Sequence, residues 1–253
     1  MTSGRTRALG QHILVDGRVA KRAAGYASLE RTDTVLEIGP GKGILTRLLS
    51  AGAGRVIAIE KDQKFRSFLT GLAGNVELVF ADALKYPLPA FDKVVSNLPY
   101  SISSPVTFLL LEKDFTLGVL MYQKEFADRM VARVGSADYS RLGVEVFRRA
   151  DCRLLENVPP SAFSPHPRVH SAIVELRPRP CPFRIADGAL FSSIARALFS
   201  HRRKSVINAL RSEARVLGGI PARLDGSDPI LRRRAESLSP EEIAGLANGL
   251  ARG

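Results

Sequence analysis

The chain has 253 residues, 45% of them hydrophobic, and Lys and Arg outnumber Asp and Glu by 37 to 25, a formal net charge of +12. This length supports one full-sized core and a smaller second domain, and the composition excludes a fibre or a disordered polymer. No apolar run is long enough to cross a bilayer, the Arg-rich and Gly-broken N-terminus lacks a signal-peptide core, and no basic amphipathic helix carries Trp or Phe anchors, so the expectation is a soluble, cytoplasmic protein whose polyanionic partner is a nucleic acid rather than a membrane.

From residue 34 onward, short β-rich runs alternate with helical stretches. The strand candidates are 34–38, 55–60, 76–80, 93–96, 117–122, 142–147 and 169–176. The first four are separated by apolar residues at helical spacing, such as Ile44, Leu45, Leu48 and Leu49, then Phe65, Phe68, Leu69 and Leu72. The pattern predicts an α/β fold built on a doubly wound, seven-stranded, mostly parallel sheet.

Between the first strand and its helix runs Glu37-Ile38-Gly39-Pro40-Gly41-Lys42-Gly43. Gly39 and Gly41 let a ligand approach the backbone with no Cβ in the way. Glu60 closes the second strand, where a carboxylate can accept hydrogen bonds from both hydroxyls of a ribose. Asp82 ends the third strand, placed to read an adenine amino group. The glycine spacing is G-x-G-x-G, with Ile44 where a dinucleotide fingerprint needs its third Gly or Ala, and no Walker-type phosphate loop occurs. S-adenosylmethionine, which has an adenosine and a zwitterion but no phosphate, fits better than a nicotinamide dinucleotide, the runner-up.

Asn97-Leu98-Pro99-Tyr100 follows the fourth strand. The N6 of adenine is a poor nucleophile because its lone pair is delocalised into the ring, and two acceptors on its N–H groups would orient that lone pair toward an electrophile. The Asn97 side-chain oxygen and the Leu98 carbonyl are the candidate acceptors. Pro99 favours an extended turn and Tyr100 offers a ring for stacking on a flipped-out base. The same four residues also describe a plain strand-end turn with a half-buried Tyr. Ser104 and Pro105 read as N-cap and first residue of a helix reaching about Lys113.

Cys152 and Cys181 show no metal-ligand spacing, which predicts no metal site and two reduced structural thiols. After Leu176, Pro178, Pro180 and Pro182 mark a linker, and only helix-like segments follow, which divides the chain into 1–177 and 178–253. The second part holds thirteen Lys/Arg against seven Asp/Glu, half of the net charge. Its basic runs, Arg202-Arg203-Lys204 and Arg232-Arg233-Arg234, are candidates for phosphate contact or are simply solvated faces. Ser239, Pro240 and Glu242 form a capping-box start for the last helix.

In this order, the residues resemble the ribosomal RNA adenine dimethyltransferases, over nearly the whole chain and closest to the small-subunit branch. Gly10-Gln11-His12-Ile13-Leu14 looks like that family's N-terminal cofactor segment, and Phe163-Ser164-Pro165-His166-Pro167-Arg168-Val169 resembles its F-x-P-x-P-x-V signature. His12, and Ser101 to Pro105 after the tetrad, look more like the archaeal and eukaryotic branch than the bacterial one. The resemblance implies a Rossmann-like class I methyltransferase fold and contacts to S-adenosylmethionine from His12, Leu14, Gly39, Glu60, Asp82 and Asn97. It implies N6,N6-dimethylation of adenosines near the 3′ end of small-subunit ribosomal RNA during ribosome biogenesis, by a monomer acting on that RNA or a pre-30S-type particle. Tyr100 and Phe163 would hold the base, although Phe163 also suits an ordinary core. A large-subunit enzyme would share these residues, and a non-catalytic assembly factor would keep the fold while having no need of Glu60 or the tetrad.

Overall fold

The computed structural model describes residues 12–219 and 227–251. Gly10 and Gln11 of the N-terminal segment lie outside the described residues. The chain divides into two compact units, one formed by residues 12–127 with Asp151–Pro178, the other by Asp128–Ala150 with residues 179–251.

In the first unit, a seven-stranded sheet is assembled from β2 (Thr34–Ile38), β3 (Arg55–Glu60), β4 (Val76–Phe80), β5 (Lys93–Asn97), β6 (Leu117–Gln123), β7 (Ala150–Val158) and β9 (Ser171–Pro178), in the spatial order β4-β3-β2-β5-β6-β9-β7. The pairings of β2 with β3 and β5, β3 with β4, and β5 with β6 are parallel; β9 runs antiparallel to β6. β2, β3 and β6 are nearly continuous apolar runs because both faces of the sheet are covered. Helices α1 (Gly17–Tyr26) and α2 (Ile44–Gly52) bring Val19, Ala20, Ala23, Leu45 and Leu49 to a core containing Val35, Val56, Val95, Val119 and Ile173. A separate two-stranded antiparallel ladder joins β1 (Ile13–Leu14) to β8 (Phe163–Ser164), with Leu14 opposite Phe163.

The strand order reverses between β2 and β5, because β2 leads to β3 and β4 on one side while β5 returns to the other. Such a switch point opens a crevice at the carboxyl ends of the two strands. The glycine turn leaves the end of β2, and the tetrad begins at the end of β5.

The segment 142–147, expected as a strand, is instead part of a helix over Arg141–Arg149. Its apolar residues alternate over a short window, but Leu142, Gly143, Val144, Glu145 and Val146 are all buried, so burial surrounds the helix. A Cβ on Gly143 would sit 3.0 Å from the Arg129 carbonyl, a close approach that glycine allows. The seventh strand is β7, an edge strand carrying Asp151, Arg153 and Glu156 in place of an apolar stripe, the charged decoration that discourages edge pairing. Arg22 and Tyr26 of α1 both donate to the Glu156 carboxylate, tying helix to edge. The helix after the tetrad spans Ser103–Leu110, with Ile102 rather than Ser104 at its N-cap.

The second unit is helical. The Arg141–Arg149 helix (α6, after the short α3, Arg66–Leu69, α4, Ser103–Leu110, and α5, Lys124–Met130) packs with α7 (Gly188–Ser200) and α9 (Pro240–Ala251), and α7 packs in turn with α8 (Val206–Ser212). Their core contains Tyr139, Val144, Phe191, Ile194, Leu198, Leu210, Leu231 and Ile243. Residues 128–150 therefore group with the helical part, although the proline run puts the division at 178 alone. At α9, the Glu242 N–H donates to Ser239 Oγ at 3.1 Å and the Ser239 N–H donates to Glu242 Oε2 at 2.8 Å, the reciprocal capping box.

Candidate active site

The crevice at the switch point is a half-open cleft. Its walls come from four stretches of sequence: His12, Ile13 and Leu14; Glu37 and the glycine turn with Ile44 and Leu45; Glu60 and Phe65 after β3; and Asn97 with Pro99. Gly39, Gly41 and Gly43 all have positive φ, at 75°, 56° and 76°. At Gly39 the constraint is twofold, since a Cβ would also lie 3.2 Å from Pro99 Cδ. The glycine turn and the tetrad are thus in contact.

Glu60 is 4% exposed. Its Oε2 accepts from the Gly41 N–H at 3.0 Å and its Oε1 from the Asp62 N–H at 2.8 Å, leaving lone pairs for a diol. Burial raises its pKa above the usual carboxylate range, and the two amides counter that rise. Glu37, on the facing strand end, is pushed up to about 8, chiefly by burial, with the Thr46 hydroxyl opposing and the Glu60 carboxylate adding to the rise. Among the described residues, no Lys or Arg lines the cleft. Two acids without a basic partner suit a cationic ligand and disfavour a pyrophosphate, which counts against a dinucleotide.

Asn97 is held by one donation, from Nδ2 to the His12 carbonyl at 3.3 Å. Its Oδ1 is buried with no hydrogen-bond partner. A buried acceptor left open in this way costs stability unless a ligand donor fills it. His12 is fixed in turn by Nδ1 on the Pro165 carbonyl at 2.8 Å, and its ring meets that of Tyr100 at 5.3 Å between centroids. The Tyr100 hydroxyl pairs with Ser171 Oγ at 2.6 Å, and burial raises its pKa.

Of the residues picked from sequence, His12, Leu14, Gly39, Gly41, Glu60, Asn97 and Pro99 meet at this cleft. Asp82 does not line it; Lys61 Nζ binds its Oδ2 at 2.9 Å and holds the carboxyl below the usual range. Leu98 is 1% exposed, and its N–H donates to the Met121 carbonyl. Phe163, expected either to stack on a base or to serve as ordinary core, is 1% exposed and packed in the cluster with Leu14 and Val19. The sequence gives no site signal for the walls from Ile13, Pro40, Ile44, Leu45 and Phe65; apolar side chains in helical periodicity look like core until the fold puts them at a crevice.

In the second unit, the basic runs divide by role. Arg202 donates to the Ala137 and Ser136 carbonyls and pairs with Glu236, and Arg233 pairs with Glu242 and donates to the Ser237 carbonyl. Lys204 Nζ donates to Ser212 Oγ at 2.8 Å. Arg203, Arg232 and Arg234 are exposed, and their side chains make no ion pair among the described residues. A bridge between Ser205 and Arg234, with the Val206 N–H on the Arg233 carbonyl, brings the two runs side by side.

The sequence profile described as ribosomal RNA adenine dimethylase matches residues 2–224. The chain belongs to the ribosomal RNA adenine dimethylase family. Membership makes it a ribosomal RNA methyltransferase, on the Rossmann-like fold described above. One relative in this family, from Methanosarcina mazei, is named "Probable ribosomal RNA small subunit methyltransferase A" and is 46% identical over 246 residues, covering 94% of this chain and 90% of its own. A dimethyladenosine transferase structure from Plasmodium falciparum superposes with a TM-score of 0.75 at 30% identity, covering 95% and 98% of the two chains. The structure of the 23S rRNA methyltransferase ErmE does so with 0.64 at 29%, covering 94% and 99%. No helix among the described residues is long and apolar enough to cross a membrane.

Proposed function

We propose that this dimethylase transfers methyl groups from S-adenosylmethionine to the N6 of adenosines near the 3′ end of small-subunit ribosomal RNA, acting as a cytoplasmic monomer on that RNA or a pre-30S-type particle. The observation that carries the reading is the unpartnered Oδ1 of Asn97, a residue that lines the same cleft as the glycine turn. Small-subunit RNA is favoured over large-subunit RNA because the relative named for the former is far more similar in sequence than ErmE.

The cleft fits the cofactor's chemistry. Glu60 would take the ribose hydroxyls, Ile44, Leu45 and Phe65 the adenine, and the Gly39 and Gly41 backbone the amino-acid end; His12 and Leu14 close the other wall. When bound, S-adenosylmethionine supplies an electrophilic sulfonium methyl. Asn97 Oδ1 and the Leu98 carbonyl would accept the two N6–H groups, turning the lone pair toward that methyl, with positioning rather than a strong base carrying the rate. Tyr100, its hydroxyl anchored on Ser171, would stack on the base for about 1 to 3 kcal/mol. The proton shed by the alkylated nitrogen passes to these oxygens or to water. After the first transfer one N–H remains, so one of the two bonds survives for the second.

The helical unit would be the RNA-binding module, with Arg203, Arg232 and Arg234 contacting phosphates while Arg202 and Arg233 brace the fold and Lys204 is shared with Ser212. Nucleoside mass spectrometry of unmethylated small-subunit particles incubated with labelled S-adenosylmethionine tests the assignment. Label in N6,N6-dimethyladenosine supports it, and label confined to cytosine or protein refutes it.

A further inference from the structure

We infer that Glu37 is the charge-sensing residue of the cleft, neutral while the cleft is empty and ionised when a cationic ligand enters, its proton leaving to solvent. The ligand's identity rests on the S-adenosylmethionine reading above. Glu37 sits near the end of β2, 1% exposed, lining the cleft, with Oε2 buried and lacking any hydrogen-bond partner. Glu60 on the same cleft differs in one respect: each of its oxygens accepts a backbone N–H, which favours the carboxylate form. Glu37 Oε2 accepts no such backbone N–H, the Thr46 hydroxyl offsets only part of the effect of burial, and among the described residues its charged neighbour is another acid. A carboxylate in that position would be a buried charge without a counter-ion, so the carboxyl keeps its proton instead.

Among the described residues that line the cleft with it, Glu60 comes from β3, His12 from the segment ahead of β1 and the uncharged Asn97 from β5; α2 adds the Thr46 hydroxyl. Burial raises Glu37 to about 8, so near neutral pH the acid is mostly protonated. A sulfonium and an ammonium arriving in the cleft replace the missing counter-ion and draw the proton off. The spent cofactor, S-adenosylhomocysteine, has lost the fixed sulfonium charge, so Glu37 favours the loaded form over the product, and product departure is accompanied by proton uptake.

Calorimetric titration of S-adenosylmethionine at pH 7, in two buffers of different ionisation enthalpy, counts the protons. The wild-type protein is expected to release about one more proton per ligand than Glu37→Gln. The variant should bind S-adenosylmethionine about ten-fold more weakly and S-adenosylhomocysteine within about three-fold of wild type. Equal proton release from both proteins overturns the inference. Difference infrared spectroscopy on wild type gives a readout that needs no variant: the protonated-carboxyl band should give way to a carboxylate band on ligand addition, and its persistence overturns the inference too. Absence of any binding heat from wild type would instead sink the cofactor reading itself, and the role of Glu37 with it.

Discussion

Asn97 donates through Nδ2 to the carbonyl of His12, a residue 85 positions earlier, and this single bond fixes which way the amide faces. With the nitrogen committed to His12, the oxygen of this cleft-lining residue is left buried and without a hydrogen-bond partner. His12 is itself held by Pro165, so three distant motifs, the N-terminal segment, the tetrad and the F-x-P-x-P-x-V stretch, converge on one amide.

Breaking the contact between the glycine turn and the tetrad should disturb both halves of the site. Gly39→Ala places a methyl 3.2 Å from Pro99 Cδ on a backbone with φ of 75°. We expect a folded protein destabilised by about 1 to 3 kcal/mol, with weaker S-adenosylmethionine binding and slower transfer. Denaturant unfolding and calorimetry check the two effects separately.

Phe163→Ala should act on stability rather than on base recognition, costing about 3 to 5 kcal/mol as a large-to-small core change. A Phe163→Leu protein that melts near wild type should keep its KM for RNA. A specific rise in that KM would restore a stacking role for the ring.

The basic runs should separate by role. Replacing Arg203, Arg232 and Arg234 with Ala is expected to weaken RNA binding and lower the slope of log K against log salt by about 2 to 3, while leaving the melting temperature nearly unchanged. Arg202→Ala and Arg233→Ala should lower the melting temperature, because each leaves a carboxylate partner without its pair. Filter binding across a salt series, beside thermal melts, distinguishes the two sets.

Stability of the ligand-free protein should also depend on pH through Glu37. Its folded-state pKa, about 8, is above the unfolded model value of 4.5, so the folded state retains a proton that the unfolded chain has lost. That contribution is complete below the unfolded value and is lost as pH rises through about 8. Glu37→Gln should therefore flatten the decline in unfolding free energy between those limits, measured by urea titration at a series of pH values.

The parts of the fold legible in the sequence were those encoded locally. The glycine turn, Glu60 at a strand end and the Asn97 tetrad are each a few residues long, and the parallel sheet follows from apolar runs alternating with helical periodicity. The Arg141–Arg149 helix reads as a strand because Leu142, Val144 and Val146 alternate, a pattern that burial on all sides of a short helix also produces. The edge strand β7 escaped notice because its exposed charges erase the alternation. Nor does sequence reveal that Lys61 occupies Asp82, that Arg202 and Arg233 are tied within the fold, or that Glu37 lacks a donor, since each depends on which distant groups the fold brings alongside.

The most direct measurement of the central claim compares Asn97→Ala with wild type in S-adenosylmethionine binding and in single-turnover methyl transfer to small-subunit particles. An amide oxygen that orients the adenine amine predicts binding within a few-fold of wild type and transfer slower by about 100-fold or more. Transfer at the wild-type rate in a variant that binds the cofactor normally would contradict the account.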